Sequence, residues 1–281
     1  MSLKVAIICG GGRFPIVAAQ AAQAQGHEIV LLALRGVASV DVEAFPHVWL
    51  GIGQLGLALR EMRERGIKHL CFIGGLGRPE LSDLRLDWGG VKRLPEIVKL
   101  LKGGDDHALK GVIGLFERED LQVIGVETLA PELLAATGAM NKFSLPAELA
   151  EDLDLGLNCL ADLSAYDCGQ SLVIVNRRIL AIEAAEGTDA MLGRVAELRE
   201  NGRWRAKGRA GLLVKAPKAG QDLRVDLPAI GPATIEAAAR AGLLGIAVAA
   251  GKVLILDRKA VAAQAEAAGL FLYGFAMGAG A

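Results

Sequence analysis

The chain has 281 residues, of which 52% are hydrophobic and 22% charged. That is enough apolar material for one large domain or two ordinary ones, and it excludes an intrinsically disordered polypeptide. A formal net charge of −1 excludes a protein-wide electrostatic footprint for nucleic acid. The four cysteines, Cys9, Cys71, Cys159 and Cys168, show no CxxC pair, which excludes a zinc knuckle or a disulfide framework.

Leu3–Cys9 reads as a buried strand, followed by Gly10-Gly11-Gly12, Pro15 at a helix start and an alanine-rich helix that stops at Gly26. Glu28–Leu34 is the next strand, so the chain opens with a βαβ unit whose glycine turn lies at the carboxyl end of its first strand. A helix over Gln54–Arg65 leads to a strand over Lys68–Ile73, which again runs into glycines, Gly74, Gly75 and Gly77, ahead of Arg78. Asp105–Glu117 reads as a helix with Asp105 or Asp106 near its N-cap, and Leu121–Val126 as a strand. Such alternation implies a mostly parallel sheet with helices on both faces. Glycine lets a backbone approach a phosphate closely, and two glycine loops at one sheet edge point to a ligand crevice built from Gly11, Gly12 and Gly75. The six-residue dinucleotide fingerprint is absent, and no Walker lysine follows.

The rhythm changes near Pro131. Residues 131–146 read as a linker between a Rossmann-like domain over 1–130 and a mixed α/β domain over 147–281. The second half predicts a helix over Ala147–Leu163, a hairpin of Ser171–Val175 and Ile179–Ala184 around Asn176-Arg177-Arg178, and a helix over Thr188–Glu200 with Thr188 as its N-cap. Strands follow over Gly211–Val214, Ile246–Ala250 and Val253–Asp257. Helices over Thr234–Gly242 and Arg258–Ala268 and a last strand over Leu270–Phe275 complete it.

Three stretches here can carry chemistry. Asp167-Cys168-Gly169-Gln170 is a polar strand cap or a ligand contact. Glu183 and Glu186 gather at a strand end, where carboxylates suit a hard cation such as Mg²⁺. The third stretch, Leu213–Ile235, packs Lys215, Lys218, Asp222, Arg224 and Asp226 among prolines and glycines, too many turn residues for a core. Together they offer metal ligands (Glu183, Glu186, Asp226), polar and cationic contacts for a diphosphate (Gln170, Thr188, Lys215, Gln221, Arg224) and a carboxylate to position water. By residue type alone, the same inventory also fits a site that binds a phosphorylated ligand without turning it over.

Six phrases occur in order along the chain: GGGRFP, GGDDHAL, DCGQSLVI, AIEAAEGTDAML, LVKAPKAGQDLRVDLPAIGPATI and GLFLYG. Together they resemble the UDP-2,3-diacylglucosamine pyrophosphohydrolases of lipid A biosynthesis, over essentially the whole length. The resemblance implies hydrolysis of UDP-2,3-diacylglucosamine to 2,3-diacylglucosamine 1-phosphate (lipid X) and UMP, with water attacking the sugar-side phosphorus and Mg²⁺ required. It also implies two linked domains, a lipid substrate and a homodimer, with Asp226 as the essential aspartate. No apolar run is long enough to span a bilayer, and three glycines and Arg13 interrupt the apolar start; taken with these, the resemblance implies a cytoplasmic location with transient contact at the inner face of the membrane. A nucleotide-sugar or lipid carrier without catalysis is the alternative. A Rossmann oxidoreductase is disfavoured by the missing fingerprint and by Leu34-Arg35-Gly36, where an acidic residue should end the second strand.

Overall fold

The computed structural model describes residues 2–77, 83–101 and 105–277, so Arg78 and Gly103-Gly104 lie outside the described residues. The chain forms two compact units, Met1–Glu132 with Asp222–Asp226, and Leu133–Gln221 with Leu227–Ala281. Residues 133–146, read from sequence as linker, are therefore assigned to the second unit, and five residues from far along the chain are assigned to the first.

The first unit runs β1 (Lys4–Cys9), α1 (Phe14–Ala24), β2 (Glu28–Leu34), β3 (His47–Leu50), α2 (Leu55–Glu64), β4 (His69–Ile73), α3 (Trp88–Lys92), α4 (Leu94–Leu101), α5 (Asp105–Glu117), β5 (Gln122–Val123) and α6 (Val126–Leu129). Its five strands are all parallel in the order β3-β2-β1-β4-β5. The central strands are continuous apolar runs because helices must cover both faces of a parallel sheet. Val5, Ala6, Ile7, Leu31, Leu32 and Leu70 are completely buried. Cys9 and Cys71 are packed among them, and burial pushes the Cys9 thiol up to about 12, so it behaves as a small hydrophobe. The strand expected over Leu121–Val126 is only two residues long. Gly125 caps α6 directly afterwards, and Val126 belongs to that helix.

Sequence periodicity missed β3 and the α3–α4 pair. Asp87 explains why the second of these forms. Its Oδ1 accepts from Gly90 N at 2.8 Å, capping α3, and from Gly56 N at 3.1 Å, while Oδ2 accepts from Leu57 N at 2.6 Å. One carboxylate thus satisfies the first turns of both α2 and α3. Partial burial alone would raise its pKa, but four backbone N–H groups outweigh that and hold it below the usual carboxylate range.

The second unit runs β6 (Gly138–Ala139), α7 (Ala150–Leu163), β7 (Ser171–Val175), β8 (Arg178–Ile182), α8 (Thr188–Glu200), β9 (Leu212–Lys215), β10 (Ala229–Ile230), α9 (Pro232–Arg240), β11 (Gly245–Ala249), β12 (Leu254–Ile255), α10 (Arg258–Ala267) and β13 (Phe271–Phe275). Its six-stranded sheet has the order β6-β13-β11-β9-β7-β8. The β13-β11-β9 block is parallel, and β6, β7 and β8 add antiparallel pairings. β12 pairs with β10 in a separate two-stranded ribbon rather than with β11, its neighbour in sequence. The core is aliphatic, with Leu172, Ile174, Met191, Leu192, Leu212 and Leu213 fully buried.

The hairpin turn holds two residues rather than three. Asn176 and Arg177 both take positive φ, 49° and 60°, the combination that matches the twist of paired strands. An arginine rarely tolerates this, and here Arg177 N donates to Asp152 Oδ1 at 2.6 Å. Asp152 on α7 is itself buried.

Asp87→Ala should lower unfolding stability by about 1–2 kcal/mol at neutral pH, the usual cost of a lost cap. Because the folded pKa is depressed, this contribution is present above the ordinary value of about 3.9 and disappears as pH falls through the folded value. Urea titrations at pH 7 and at pH 3 should therefore show the gap between wild type and variant closing in acid. A constant gap would assign the loss to packing.

Candidate active site

In the second unit, strand register gathers the polar groups. Ser171 opens β7 and is the cross-strand partner of Lys215, which closes β9. On the other side of β7, Glu183 directly follows β8, and its backbone N donates to Ser171 O at 2.9 Å. Three adjacent strands thus deliver a carboxylate, a hydroxyl and an ammonium to one edge of the sheet.

The side chains close into a network. Glu183 Oε2 accepts from Ser171 Oγ at 2.7 Å and from Gln170 N at 3.1 Å, and Oε1 accepts from Thr188 Oγ1 at 2.9 Å. Lys215 Nζ donates to Thr188 Oγ1 at 2.7 Å and lies 3.5 Å from Glu183 Oε2. The Lys215 and Glu183 side chains are 4% and 12% exposed. Charges removed from water are costly unless paired and hydrogen-bonded, and here both conditions hold. Gly169 is the space that Glu183 needs, because a Cβ there would lie 2.4 Å from Glu183 Cγ. The strand cap at Asp167-Cys168-Gly169-Gln170 is therefore shaped by the carboxylate it faces.

Two expectations change. Lys215 is not a loop cation but the last residue of a buried strand. Thr188 is not the N-cap of α8. Gly187 holds that position at φ 81°, and the Thr188 hydroxyl turns to Glu183 and Lys215 instead. Neighbouring Asp189 accepts from the buried Thr234 Oγ1 at 2.9 Å, which joins the first turns of α8 and α9.

Glu186 stands apart from this network. It is exposed and pairs with Arg194 at 2.5 Å. A bond from its own backbone N–H and the Arg194 guanidinium hold its carboxyl below the usual range. The two glutamates expected to share Mg²⁺ do not fit a cation as they stand. Both oxygens of Glu183 already face donors, one of them close to an ammonium, and Glu186 faces a guanidinium. Among the described residues, no three His, Cys, Asp or Glu side chains are arranged to hold a metal. Gln221 lies in the loop after β9, where its Oε1 accepts from Lys218 N at 2.9 Å and Lys218 Nζ pairs with Asp167 at 2.5 Å.

In the first unit, the sheet order reverses at β1 and β4, and the glycine loops follow these two strands. Gly11 and Gly75 bridge the loops, with Gly11 N to Gly75 O at 2.7 Å and Gly75 N to Gly11 O at 3.2 Å. The closest backbone approach is at Gly10, where a Cβ would lie 2.6 Å from Gly74 O. Of the three candidate glycines, Gly12 needs its freedom for φ 83°, Gly11 is crowded by Gly75 O at 3.3 Å, and Gly75 faces open space. Gly75 is thus the position where an added side chain tests ligand approach without straining the loop.

The Asp222–Asp226 turn also belongs to this unit. Arg224 forks onto Asp222, Nε to Oδ1 at 3.0 Å and Nη2 to Oδ2 at 2.7 Å, and its Nη1 reaches Glu117 Oε1 at 2.8 Å. This guanidinium is the main cause of the lowered Asp222 carboxyl. Expected as a phosphate clamp, Arg224 instead holds its own turn. Val225 packs against the core containing Leu55, Ile113 and Phe116. Asp226 N donates to Asp222 O at 3.2 Å, so the backbone of Asp226 is set by an anchored turn.

A parallel-sheet unit with paired glycine loops at its switch point, and a mixed-sheet unit with a buried ion-pair network, form a two-domain α/β protein. Residues 4–133 match the family model described as the LpxI N-terminal domain, and residues 136–273 match that of the LpxI C-terminal domain. The chain belongs to the LpxI family. It is 41% identical over 271 residues, 96% of this chain and 97% of the relative, to a Caulobacter vibrioides protein named UDP-2,3-diacylglucosamine pyrophosphatase LpxI.

Lys215→Met should cost about 3–5 kcal/mol, because it leaves the Glu183 carboxylate buried beside an apolar chain. The double variant Lys215→Met/Glu183→Gln should lose less than the sum of the two single losses, by at least about 1 kcal/mol. Additive losses in chemical denaturation would mean that the two groups do not act as a pair.

Proposed function

We propose that this chain hydrolyses the diphosphate of UDP-2,3-diacylglucosamine to 2,3-diacylglucosamine 1-phosphate and UMP. The observation that carries the reading is the 41% identity, spread over 96% of the chain, to a relative named for this pyrophosphatase activity. Water attacks the sugar-side phosphorus, the bond to the bridging oxygen breaks, and UMP leaves with that oxygen. The proton lost by the water passes to a carboxylate, for which Asp226 is the candidate. Its turn is fixed by the Arg224 fork and by Val225, which suits a group that must hold a reacting water in one place. Glu183 and Lys215 are read as the frame of the second unit's site rather than as reacting groups. Bound to the diphosphate, Mg²⁺ would offset its negative charge; Glu183 and Glu186 are not proposed as its ligands.

Turnover in ¹⁸O-labelled water, followed by mass spectrometry, tests both reaction and regiochemistry. The label should appear in the lipid phosphate and not in UMP, and chelation with EDTA should stop the reaction until Mg²⁺ is restored. Substrate recovered intact would return the chain to a carrier. Label in UMP would move the attack to the other phosphorus.

Asp226→Ala should lower kcat on the order of 10³-fold with little change in KM, the signature of an interaction made chiefly in the transition state. Gly75→Val should do the reverse, raising KM several-fold at near-normal kcat. Should Asp226→Ala retain a tenth or more of wild-type kcat, the aspartate is not the group that handles the water.

A further inference from the structure

The segment Arg199–Arg209 plays no part in the chemistry above, yet it is the most basic stretch of a chain whose net charge is −1. Eleven residues carry five cations, Arg199, Arg203, Arg205, Lys207 and Arg209, against one acid, Glu200. Several of its side chains build the loop, and among them Arg205 Nε donates to Gly202 O at 3.1 Å and Arg209 Nη1 to Leu243 O at 3.2 Å. Arg199 donates to Gly242 O at 3.0 Å, also bonds Gly208 O, and lies 4.9 Å over the ring of Trp204. Trp204 is buried. The indole and the guanidinium thus hold a loop that turns its other cations outward.

Arg203, Arg205, Lys207 and Arg209 are exposed, and so is Arg178 at the start of β8. None of the five forms a salt bridge with a described carboxylate. Elsewhere on the same unit, cations find carboxylates, as Arg177 does with Glu151 and Arg194 with Glu186. A second observation marks the same place. An open recess of about 400 Å³ is lined by Arg178 and Arg203 together with Ile179, Leu180, Leu198 and Trp204. Two arginines beside an apolar lining match a phosphate with hydrocarbon next to it, the chemistry of an anionic phospholipid surface.

We propose that the Arg199–Arg209 loop and Arg178 form a docking face for an anionic phospholipid bilayer. The charge complementarity is local, because this face keeps its positive charge while the chain as a whole has none to spare. A nucleic acid would also meet the cations, but it has no use for the aliphatic lining of the recess. The link to a two-chain lipid substrate rests on the proposed function, whereas the docking itself does not.

The test is sedimentation of the full chain with phosphatidylcholine vesicles, with and without phosphatidylglycerol. Wild type should partition onto the anionic vesicles only, and less at high salt. The variant Arg178→Gln/Arg203→Gln/Lys207→Gln removes exposed charges and should fold normally by circular dichroism. Its partition coefficient should fall on the order of a hundredfold, at roughly fivefold per cation, and Arg203→Gln alone should show a single such step. Hydrolysis of substrate dispersed in detergent micelles should be unchanged in both variants. Equal partitioning of wild type and triple variant overturns the proposal. So does binding of wild type to neutral vesicles as well as to anionic ones, or its displacement from vesicles by a duplex oligonucleotide. Vesicle binding without hydrolysis in either format would count against the hydrolase reading alone, and hydrolysis without vesicle binding against the docking face alone.

Discussion

A carboxylate in the interior needs donors on every side, and the second unit is arranged around meeting that need for Glu183. The cross-strand pairing of Ser171 with Lys215, the glycine at 169 and the rotation of Thr188 away from its helix cap all converge on one buried anion. Loss of the Lys215 ammonium alone would leave the Glu183 charge without its ionic partner, about 3–5 kcal/mol in a protein whose net stability is only about 5–15 kcal/mol. This is why residues from three separate sequence stretches read as independent signals yet behave as one object. The network also gives the sheet edge a fixed polar surface at the first turn of α8, next to the Asp189–Thr234 contact that joins α8 to α9.

A second constraint is topological. The chain is assigned to the second unit through Gln221, to the first for five residues, and to the second again from Leu227. A five-residue excursion has little area with which to hold itself, so the anchoring has to be concentrated. Arg224 supplies it with a bidentate grip on Asp222 and a reach to Glu117, and Val225 adds apolar contact with the first unit's core. Bidentate charge-assisted bonds are among the stronger and more directional contacts available on a partly exposed surface. Arg224, which sequence reasoning assigns to substrate, fastens the turn that carries Asp226.

The elements with strong period or long apolar runs were legible in the sequence. Glu28–Leu34 and Thr188–Glu200 have the same bounds in the structure, and the Gly10 and Gly74 loops lie side by side as their positions after two strands imply. What escaped was whatever depends on partners far along the chain. Four residues of β3 give no period to count, and α3 starts where a single aspartate caps two helices at once. Lys215 follows three apolar residues in β9, as Glu183 follows the apolar run of β8. That shared pattern, a charge closing an apolar run, is a usable signal for a buried pair, but only register shows that the two strands flank β7. The Asp222–Asp226 excursion has no local signal, since prolines and glycines mark turns without saying which unit a turn joins.

The carboxylates divide by what surrounds them, and this division bears on the chemistry more directly than their spacing in sequence. Glu183 faces hydroxyls, an amide and an ammonium, Glu186 faces Arg194, and Asp222 faces Arg224. The Glu186 and Asp222 carboxyls are held below the usual range, which makes them stable anions and poor proton acceptors, because each donor stabilises the charged form and would be stranded on protonation. General-base work requires the opposite, an oxygen whose affinity for a proton is not already suppressed by fixed donors. The lowered carboxyls of Asp222 and Glu186 are therefore signs of structural duty. Most of the acidic residues in the family-like motifs serve to hold backbone and cations in place. The role proposed for Asp226 rests on the position of its turn, which Arg224 and Val225 fasten.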